Sequence, residues 1–391
     1  MGPVSAGTSR GLRVANRGAV LRALVAAGEL SRAEIADVCE LSAAAVATIV
    51  ADLLRAGLVE GRGSVPSDGG RPIGRLGVRA GAGHLLGAEV ADDGVVVELV
   101  DLARRRLDVE RMPVDPAQAS AVAVTAALRR ALRAVRSRHP ATEPSLVGLG
   151  LALPRDLLDG PLVDVLEEPG HAGELPVHAV ARAAALAAAQ VWHDAAGAPA
   201  ASSAAPALVV SLGRDVDLAV VTLGRVAAVP GRWGHTTVVP NGRRCACGGR
   251  GCLVAYAGAD ALVEAWRTRG GEPPEGDRRA LEALVAAADA GEAGAATALE
   301  LGLDLLAIAI GTALTLTGAD RVVLAGWAGE IVARTRGAVL ATRAREAAAS
   351  PDAHLVGLTA CRVPDAGAYG AALLVLDRVL DAGGAVPARR P

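Results

Sequence analysis

The chain contains no phenylalanine and no lysine, and only two tyrosines and four tryptophans among its 391 residues. Its core must therefore be packed almost wholly from aliphatic side chains, and every side-chain cation apart from histidine is an arginine. Cysteine is scarce as well. There are five, an odd number, which in an intracellular chain argues against a disulfide framework and for reduced thiols or metal ligation. The N-terminus shows no apolar h-region of signal type. The longest Ala/Leu/Val runs, Ala179–Val191 and Ala295–Leu316, are interrupted by Arg182, Gln190, Glu300 and Asp304, so they are expected to be core helices rather than membrane spans. A cytoplasmic protein with no membrane partner is the expectation. What is abundant is alanine, glycine and arginine, a genomic bias with little bearing on function. With 52% hydrophobic residues and a formal net charge of −2, the length suits two or three globular domains.

Near the N-terminus, Asn16–Ala27 places Val20, Leu21, Leu24 and Val25 on one helical face. Ser31 and Glu34 have capping-box spacing, which opens a short helix from Arg32 to Val38. After a turn, Ser42 caps a longer helix, Ala43–Ala56, with Val46, Ile49, Val50, Leu53 and Leu54 inward and Gly57 as its stop. "GLVEGRG", a turn-rich gap and "RPIGRLGV" follow. Short helix, tight turn, longer helix and two short strands make a winged helix-turn-helix over residues 1–80. A small helical interaction domain is the alternative.

The phrases "LSRAEIADVCELSAAAVATIVADLLRAGLVE" and "GGRP" resemble the DNA-binding domain of the ROK family, which comprises bacterial repressors and sugar kinases. The resemblance implies that Ser42–Ala56 enters the major groove and that Gly70-Arg71-Pro72 reaches an adjacent A·T-rich minor groove. An arginine between glycine and proline sits on a slim, stiff loop suited to a narrow, negative groove. Arg62, Arg71 and Arg75 would supply the wing's charge. Ser42, Ala43, Ala44 and Thr48 are the remaining candidate DNA contacts, and they are poor in base-reading groups. Readout is expected to lean on the wing, on methyl contacts to thymine and on DNA shape.

From about His84 the pattern becomes strand, helix, strand. "HLLGAEVADDGVVVELVDL" turns at Asp92-Asp93-Gly94, Pro116–Arg136 reads as a helix, and Leu146–Leu153, Ala207–Val210, Leu218–Val221 and "DRVVLAG" read as strands. The region is α/β with paired strands that hint at two similar halves. That pattern suits the family's two-lobed sugar-kinase/actin-like domain, here residues 81–391. Ala195–Pro206 is of low complexity and reads as a surface loop.

Three of the five cysteines lie within "GHTTVVPNGRRCACGGRGC". His235, Cys245, Cys247 and Cys252 form a complete tetrahedral zinc set, and four protein ligands leave no open position for a catalytic water. The same GH…CxCGxxGC pattern is the most distinctive motif of the ROK family. Cys39 and Cys361 read as ordinary small apolar residues.

The resemblance also raises a kinase reading, against which individual residues argue. Where family kinases place an Asn-Asp pair supplying the base, this chain has Ala179 and Val180, and valine accepts no proton. The phosphate loops read Glu89-Val-Ala-Asp-Asp-Gly94 and Gly213-Arg-Asp-Val-Asp217, short of the glycines that phosphates require. Glu89 and Asp215 read as exposed turn carboxylates rather than metal ligands. Arg232 replaces a sugar-binding Glu two residues before Gly234-His235. With Trp233 it could meet an anionic ligand or a protein segment, and His235 doubles as a ligand-binding candidate. Val254 replaces a further Glu after the zinc motif, and the segment between Pro154 and Pro176 is short for the family.

The expectation is a zinc-containing ROK-type transcriptional regulator without enzymatic activity, controlling genes of carbohydrate-related or secondary metabolism. Its partners would be a pseudo-palindromic double-stranded DNA operator, itself as a homodimer or homotetramer, and a small-molecule effector of unknown identity. The alternatives are a carbohydrate kinase with a DNA-binding appendage, and an effector-independent DNA-binding co-regulator.

Overall fold

The computed structural model describes residues 9–66, 72–114, 120–158, 175–196, 205–227, 231–348 and 357–385. Two compact units emerge. The first comprises Met1–Val180, Trp192–Ala201 and Gly367–Pro391, and the second Ala181–Val191 and Ser202–Ala366.

The first unit opens with helix α1 (Ser9–Ala27), a short strand β1 (Glu29–Leu30), α2 (Arg32–Cys39) and α3 (Ala43–Arg55), followed by strands β2 (Val59–Val65) and β3 (Ile73–Val78). The apolar stripes close inward as their spacing requires, with Val20, Leu24, Ile35, Val46, Val50 and Leu53 fully buried. Strands β2 and β3 pair antiparallel through a bulge between Gly61 and Ser64, and β1 completes the sheet in the order β1-β3-β2. This is a winged helix.

A five-stranded sheet follows, built from β4 (His84–Ala91), β5 (Gly94–Asp101), β6 (Arg106–Pro113), β7 (Leu146–Leu153) and β8 (Val177–Ala181). Its order is β6-β5-β4-β7-β8, with β4 antiparallel to β5 and parallel to β7. Helix α4 (Ala121–Arg138) packs on one face through Leu128, Leu132 and Val135. The helix begins later than the sequence suggested, because Ser120 accepts a hydrogen bond from the amide of Ala123 and so fixes the start. Residues 115–119 lie outside the described residues.

Helix α5 (Arg182–Asp194) comes next, and its first ten residues belong to the second unit. That unit holds β9 (Ala207–Leu212), β10 (Val216–Thr222) and β11 (Arg225–Ala227), then helices α6 (Val254–Ala257), α7 (Ala259–Arg267), α8 (Asp277–Asp289) and α9 (Ala293–Thr317). Strand β12 (Arg321–Ala325), α10 (Gly326–Ala347) and β13 (Gly357–Ala360) complete it. Its sheet order, β11-β10-β9-β12-β13, repeats that of the first unit. The two similar halves inferred from strand pairing are thus present. Helix α9 is long and apolar enough to cross a membrane, yet it is the central core helix here, with Leu299, Leu303, Leu306, Ile310 and Leu314 buried against α6, α7 and α10.

The last helix, α11 (Ala366–Asp381), returns to the first unit and lies against the sheet face opposite α4. Glycine makes that approach possible. A Cβ at Gly87 or Gly150 would come within 2.0 Å of the carbonyl oxygen of Ala368 or Ala371. One hydrophobic core runs from the winged helix (Leu21, Leu24, Val25, Leu58) into the sheet (Leu85, Val100, Val147) and α11 (Leu373, Leu376, Val379, Leu380). The winged helix is therefore packed onto this unit along with being chained to it. Cys39 packs against the same core, and burial pushes its thiol above the ordinary range.

Candidate nucleic-acid interface and metal centre

The helix-turn-helix is fixed by local hydrogen bonds. Ser31 and Glu34 form the expected capping box, with Ser31 Oγ accepting from the Glu34 amide at 3.2 Å and the Glu34 carboxylate accepting from the Ser31 amide at 2.7 Å. Glu40 takes a left-handed conformation, φ 53°, that ends α2. Ser42 caps α3 by accepting from the Ala45 amide at 3.2 Å. The outer face of α3 consists of Ser42, Ala43, Ala44, Ala47, Thr48, Ala51, Leu54 and Arg55, all exposed.

Both polar candidates at the start of α3 are engaged within the helix. Ser42 is the cap, and Thr48 donates its hydroxyl to the Ala44 carbonyl at 3.0 Å. What the opening turns present outward is a row of methyl groups. The wing arginines also differ from expectation. Arg75 is turned inward, pairing with the Glu34 carboxylate and donating to the Glu29 carbonyl at 3.1 Å, and Arg62 donates to the Val78 carbonyl at 3.0 Å while pairing with Glu60 at 3.0 Å. Their charge is spent on joining the wing to α2 and to itself. Arg71 lies outside the described residues.

In the second unit, His235 sits in a 3-10 turn (Trp233–His235), and its three partners come from a loop that folds back on it. Isolated bridges join Thr237 to Cys252 and Arg244 to Arg250, and the Cys245 amide donates to the Gly249 carbonyl at 3.0 Å. Gly251, at φ 74°, has no room for a side chain, since a Cβ would lie 1.7 Å from the Val239 carbonyl oxygen. The Arg243 guanidinium lies over the Tyr256 ring at 4.6 Å, and its amide donates to the Tyr256 hydroxyl at 2.8 Å.

The result is that one ligand atom each from His235, Cys245, Cys247 and Cys252 lie within 4.8 Å of one another. Cys245 Sγ is 3.4 Å from His235 Nδ1, and Cys247 Sγ is 3.7 Å from Cys252 Sγ. A tetrahedral zinc ion with ordinary bond lengths separates sulfur from nitrogen by about 3.5 Å and sulfur from sulfur by about 3.8 Å. The donor set, its spacing and its geometry all fit such an ion. Burial pushes the Cys252 thiol up to about 12, while the Gly249 amide draws the Cys247 thiol down. Arg232 is exposed, beside half-buried Trp233.

Glu89 and Asp215 are not the exposed turn carboxylates their sequence context suggested. Glu89 lies within strand β4, half-buried, with its carboxylate against the first turn of α11, where a Cβ on Gly367 would come within 2.1 Å of it. A negative group there complements the helix terminus. Asp215 Oδ1 accepts from the Val216 amide at 2.8 Å, and buried Asp217 Oδ1 accepts from the Leu218 amide at 2.8 Å. Arg214, just ahead of Asp215, reaches Asp277 at 2.7 Å. Val180 lies in β8, just ahead of α5.

Comparison with known proteins agrees with this anatomy. The ROK family model matches residues 161–378, and a MarR family model matches residues 11–69. The DNA-binding transcriptional repressor Mlc of Escherichia coli (strain K12) is 26% identical over 278 residues, 65% of each chain. The match thus spans just under two thirds of that relative's length. Among solved structures, a ROK family transcriptional regulator, a homologue of the E. coli Mlc protein, superposes with a TM-score of 0.73 at 18% identity, covering 96% of this chain and 98% of that one. A ROK family glucokinase from Streptomyces griseus, in complex with glucose and AMPPNP, gives a TM-score of 0.55 at 20% identity, covering 75% of this chain and 99% of its own.

Proposed function

The chain belongs to the ROK family, and on that premise we propose that it is a DNA-binding transcriptional repressor whose kinase-like region has lost catalysis. The observation that carries the reading is the exposed outer face of α3, set between a capped helix-turn and a two-stranded wing on a unit that also holds a kinase-type sheet. A helix of this kind enters the major groove while the wing, whose sequence carries Arg71 between Gly70 and Pro72, follows the backbone into the minor groove. The similarity to Mlc supports the same role. Two copies, joined through the kinase-like region, would meet the half-sites of a pseudo-palindromic operator, and carbohydrate-related genes are the fitting targets.

The Cys245, Cys247, Cys252 and His235 set holds a structural zinc ion in this reading. Held by these four side chains, such an ion would tie the loop behind Gly234 into one shape and would have no open position for chemistry. Arg232 is the proposed contact for an anionic effector. The loss of catalysis rests on Val180 in place of a base and on Asp215 and Asp217, which occupy the Val216 and Leu218 amides at the start of β10, beside the turn where a phosphate would need donors.

Selection of genomic fragments by the purified protein, followed by electrophoretic titration, tests the proposal. A small set of related sites bound with Kd of about 10⁻⁸ M or tighter at physiological salt is expected. Binding that never exceeds that to random DNA by more than about tenfold would overturn it.

A further inference from the structure

Arg104 stands in the turn between β5 and β6, in the left-handed region at φ 66°. Its guanidinium fork spans the C-terminal ends of two helices. Nη1 donates to the carbonyl of Trp192, near the end of α5, at 2.6 Å, and Nη2 donates to the carbonyl of Ala26, near the end of α1, at 3.3 Å. The last carbonyls of a helix have no partner within it and carry the negative end of its dipole, so one cation here stabilises two helix ends at once. The Arg104 carbonyl in turn accepts from the Tyr369 hydroxyl of α11 at 2.9 Å, and Arg106 lies over the Tyr369 ring at 4.2 Å.

The indole of Trp192 fills the centre of this joint. It is 2% exposed, with Arg104 and Arg22 over its ring at 5.1 and 5.3 Å. Arg22, on α1, also pairs with Asp377 at 2.7 Å and Asp381 at 3.3 Å on α11. The indole N–H finds no hydrogen-bond partner among the described residues. A buried donor without an acceptor is a cost carried by this arrangement, and it favours any other arrangement of the joint that supplies one.

We propose that Arg104 is the positioning residue of the DNA-binding domain: through its fork and through Trp192 it sets the angle of the winged helix on its unit. The inference rests on the repressor reading for its consequence, since a fixed angle matters when two winged helices must meet two half-sites. Arginine is required at position 104 because lysine would bring the charge without the two-pronged geometry.

The test uses the full-length protein and four variants. Arg104→Asn tolerates the left-handed backbone but removes the fork, Arg104→Lys keeps the charge, Trp192→Leu removes the ring, and Trp192→Phe retains it. Each is titrated on an operator with natural half-site spacing, on versions respaced by one or two base pairs, and on a single half-site. The wild type and Trp192→Phe should lose about tenfold or more in affinity on respacing, and Arg104→Asn, Arg104→Lys and Trp192→Leu about threefold or less, with single half-site affinity unchanged. Variants that discriminate like the wild type, or that weaken equally on all DNA including the single half-site, overturn the proposal. Hydrogen exchange decides the same point without DNA. Faster exchange in the last turns of α1 in Arg104→Asn, with α3 unchanged, is expected, and unaltered α1 protection overturns the coupling. A wild-type protein that binds no operator defeats the repressor reading, while the exchange result still judges the joint.

Discussion

Arg75, in the returning strand of the wing, is paired with the same Glu34 carboxylate that caps α2. One acidic side chain thus closes the helix-turn-helix locally and ties it to the wing. The Ser31 amide and hydroxyl, and then Arg75, hold the Glu34 carboxyl below its ordinary value of 4.5. A lowered folded value means that this stabilisation is complete above the ordinary value and is lost as pH falls through the lowered one. Arg75→Ala is expected to lower stability by about 1 kcal/mol at neutral pH, read by thermal unfolding. An unchanged melting temperature together with weakened DNA binding would show that Arg75 serves the DNA instead.

Zinc content follows from the geometry of the four ligands. Protein purified without chelator should carry about one zinc per chain, and strong chelation should lower its melting temperature. Cys247→Ser should lose the ion. Full retention of metal with unchanged stability in that variant would dismiss the site.

The elements legible in the sequence are those set by neighbours in the chain. Ser31 with Glu34, Ser42 with Ala45, and the three cysteines behind Gly234-His235 are short-range patterns, and each stands where its spacing placed it. The strand Leu146–Leu153 is bounded as its unbroken apolar run required. Long-range partners left no such mark. Arg75 meets Glu34 from 41 residues away, and nothing local tells a wing arginine that turns inward from one that turns to solvent. The carboxylate of Glu89 meets Gly367 at the far end of the chain, and the Arg104 joint gathers residues from three distant segments. Arg104, like Glu40, takes a left-handed conformation, and φ is not written in the residue type.

The recognition helix gives a prediction that separates binding from folding. Ala47 is exposed on α3, so Ala47→Glu should leave stability within about 0.5 kcal/mol of wild type. Placing a carboxylate against the groove should nonetheless cost about 1–3 kcal/mol in operator binding. Arg71→Ala should cost a similar amount on the selected site. If Arg71→Ala weakens binding equally on every sequence, its contact is to phosphate and the minor-groove reading fails.

His84 opens strand β4 just beyond the turn Ala80–Ala82 that follows the wing. The Ser145 hydroxyl donates to the Thr142 carbonyl at 2.9 Å, so at 2.7 Å its oxygen accepts from His84 Nδ1–H. Burial holds the imidazole below its ordinary value of 6.5, with nearby Asp101 opposing and His139 adding to the shift. The folded state then binds fewer protons than the unfolded chain, so this contribution is complete above 6.5 and is lost as pH falls through the lowered value. Between about pH 7.5 and 5.5 the melting temperature of wild type should fall more than that of His84→Gln. Parallel slopes would remove His84 from the pH response.

The last prediction concerns catalysis. A sugar kinase needs a base for the attacking hydroxyl and a cradle of donors for the triphosphate, and this chain is altered at both. Val180 lies in the strand ahead of α5 with a side chain that accepts no proton, and loss of a general base alone costs a factor of about 10² to 10⁴. At the turn between β9 and β10 and the start of β10, the Val216 and Leu218 amides are bonded to the carboxylates of Asp215 and Asp217, and the Gly213 amide to the Asp215 carbonyl at 3.0 Å. A triphosphate arriving there would displace those bonds and face two negative charges, and phosphoryl transfer depends almost wholly on positioning and charge stabilisation. Purified protein at high concentration should therefore consume no ATP above background with Mg²⁺ and glucose, N-acetylglucosamine, mannose, fructose or xylose. Turnover that saturates with one of these sugars, and that is absent from heat-inactivated protein, would restore the kinase. A sugar that instead releases the operator without turnover would leave the repressor standing and identify its effector.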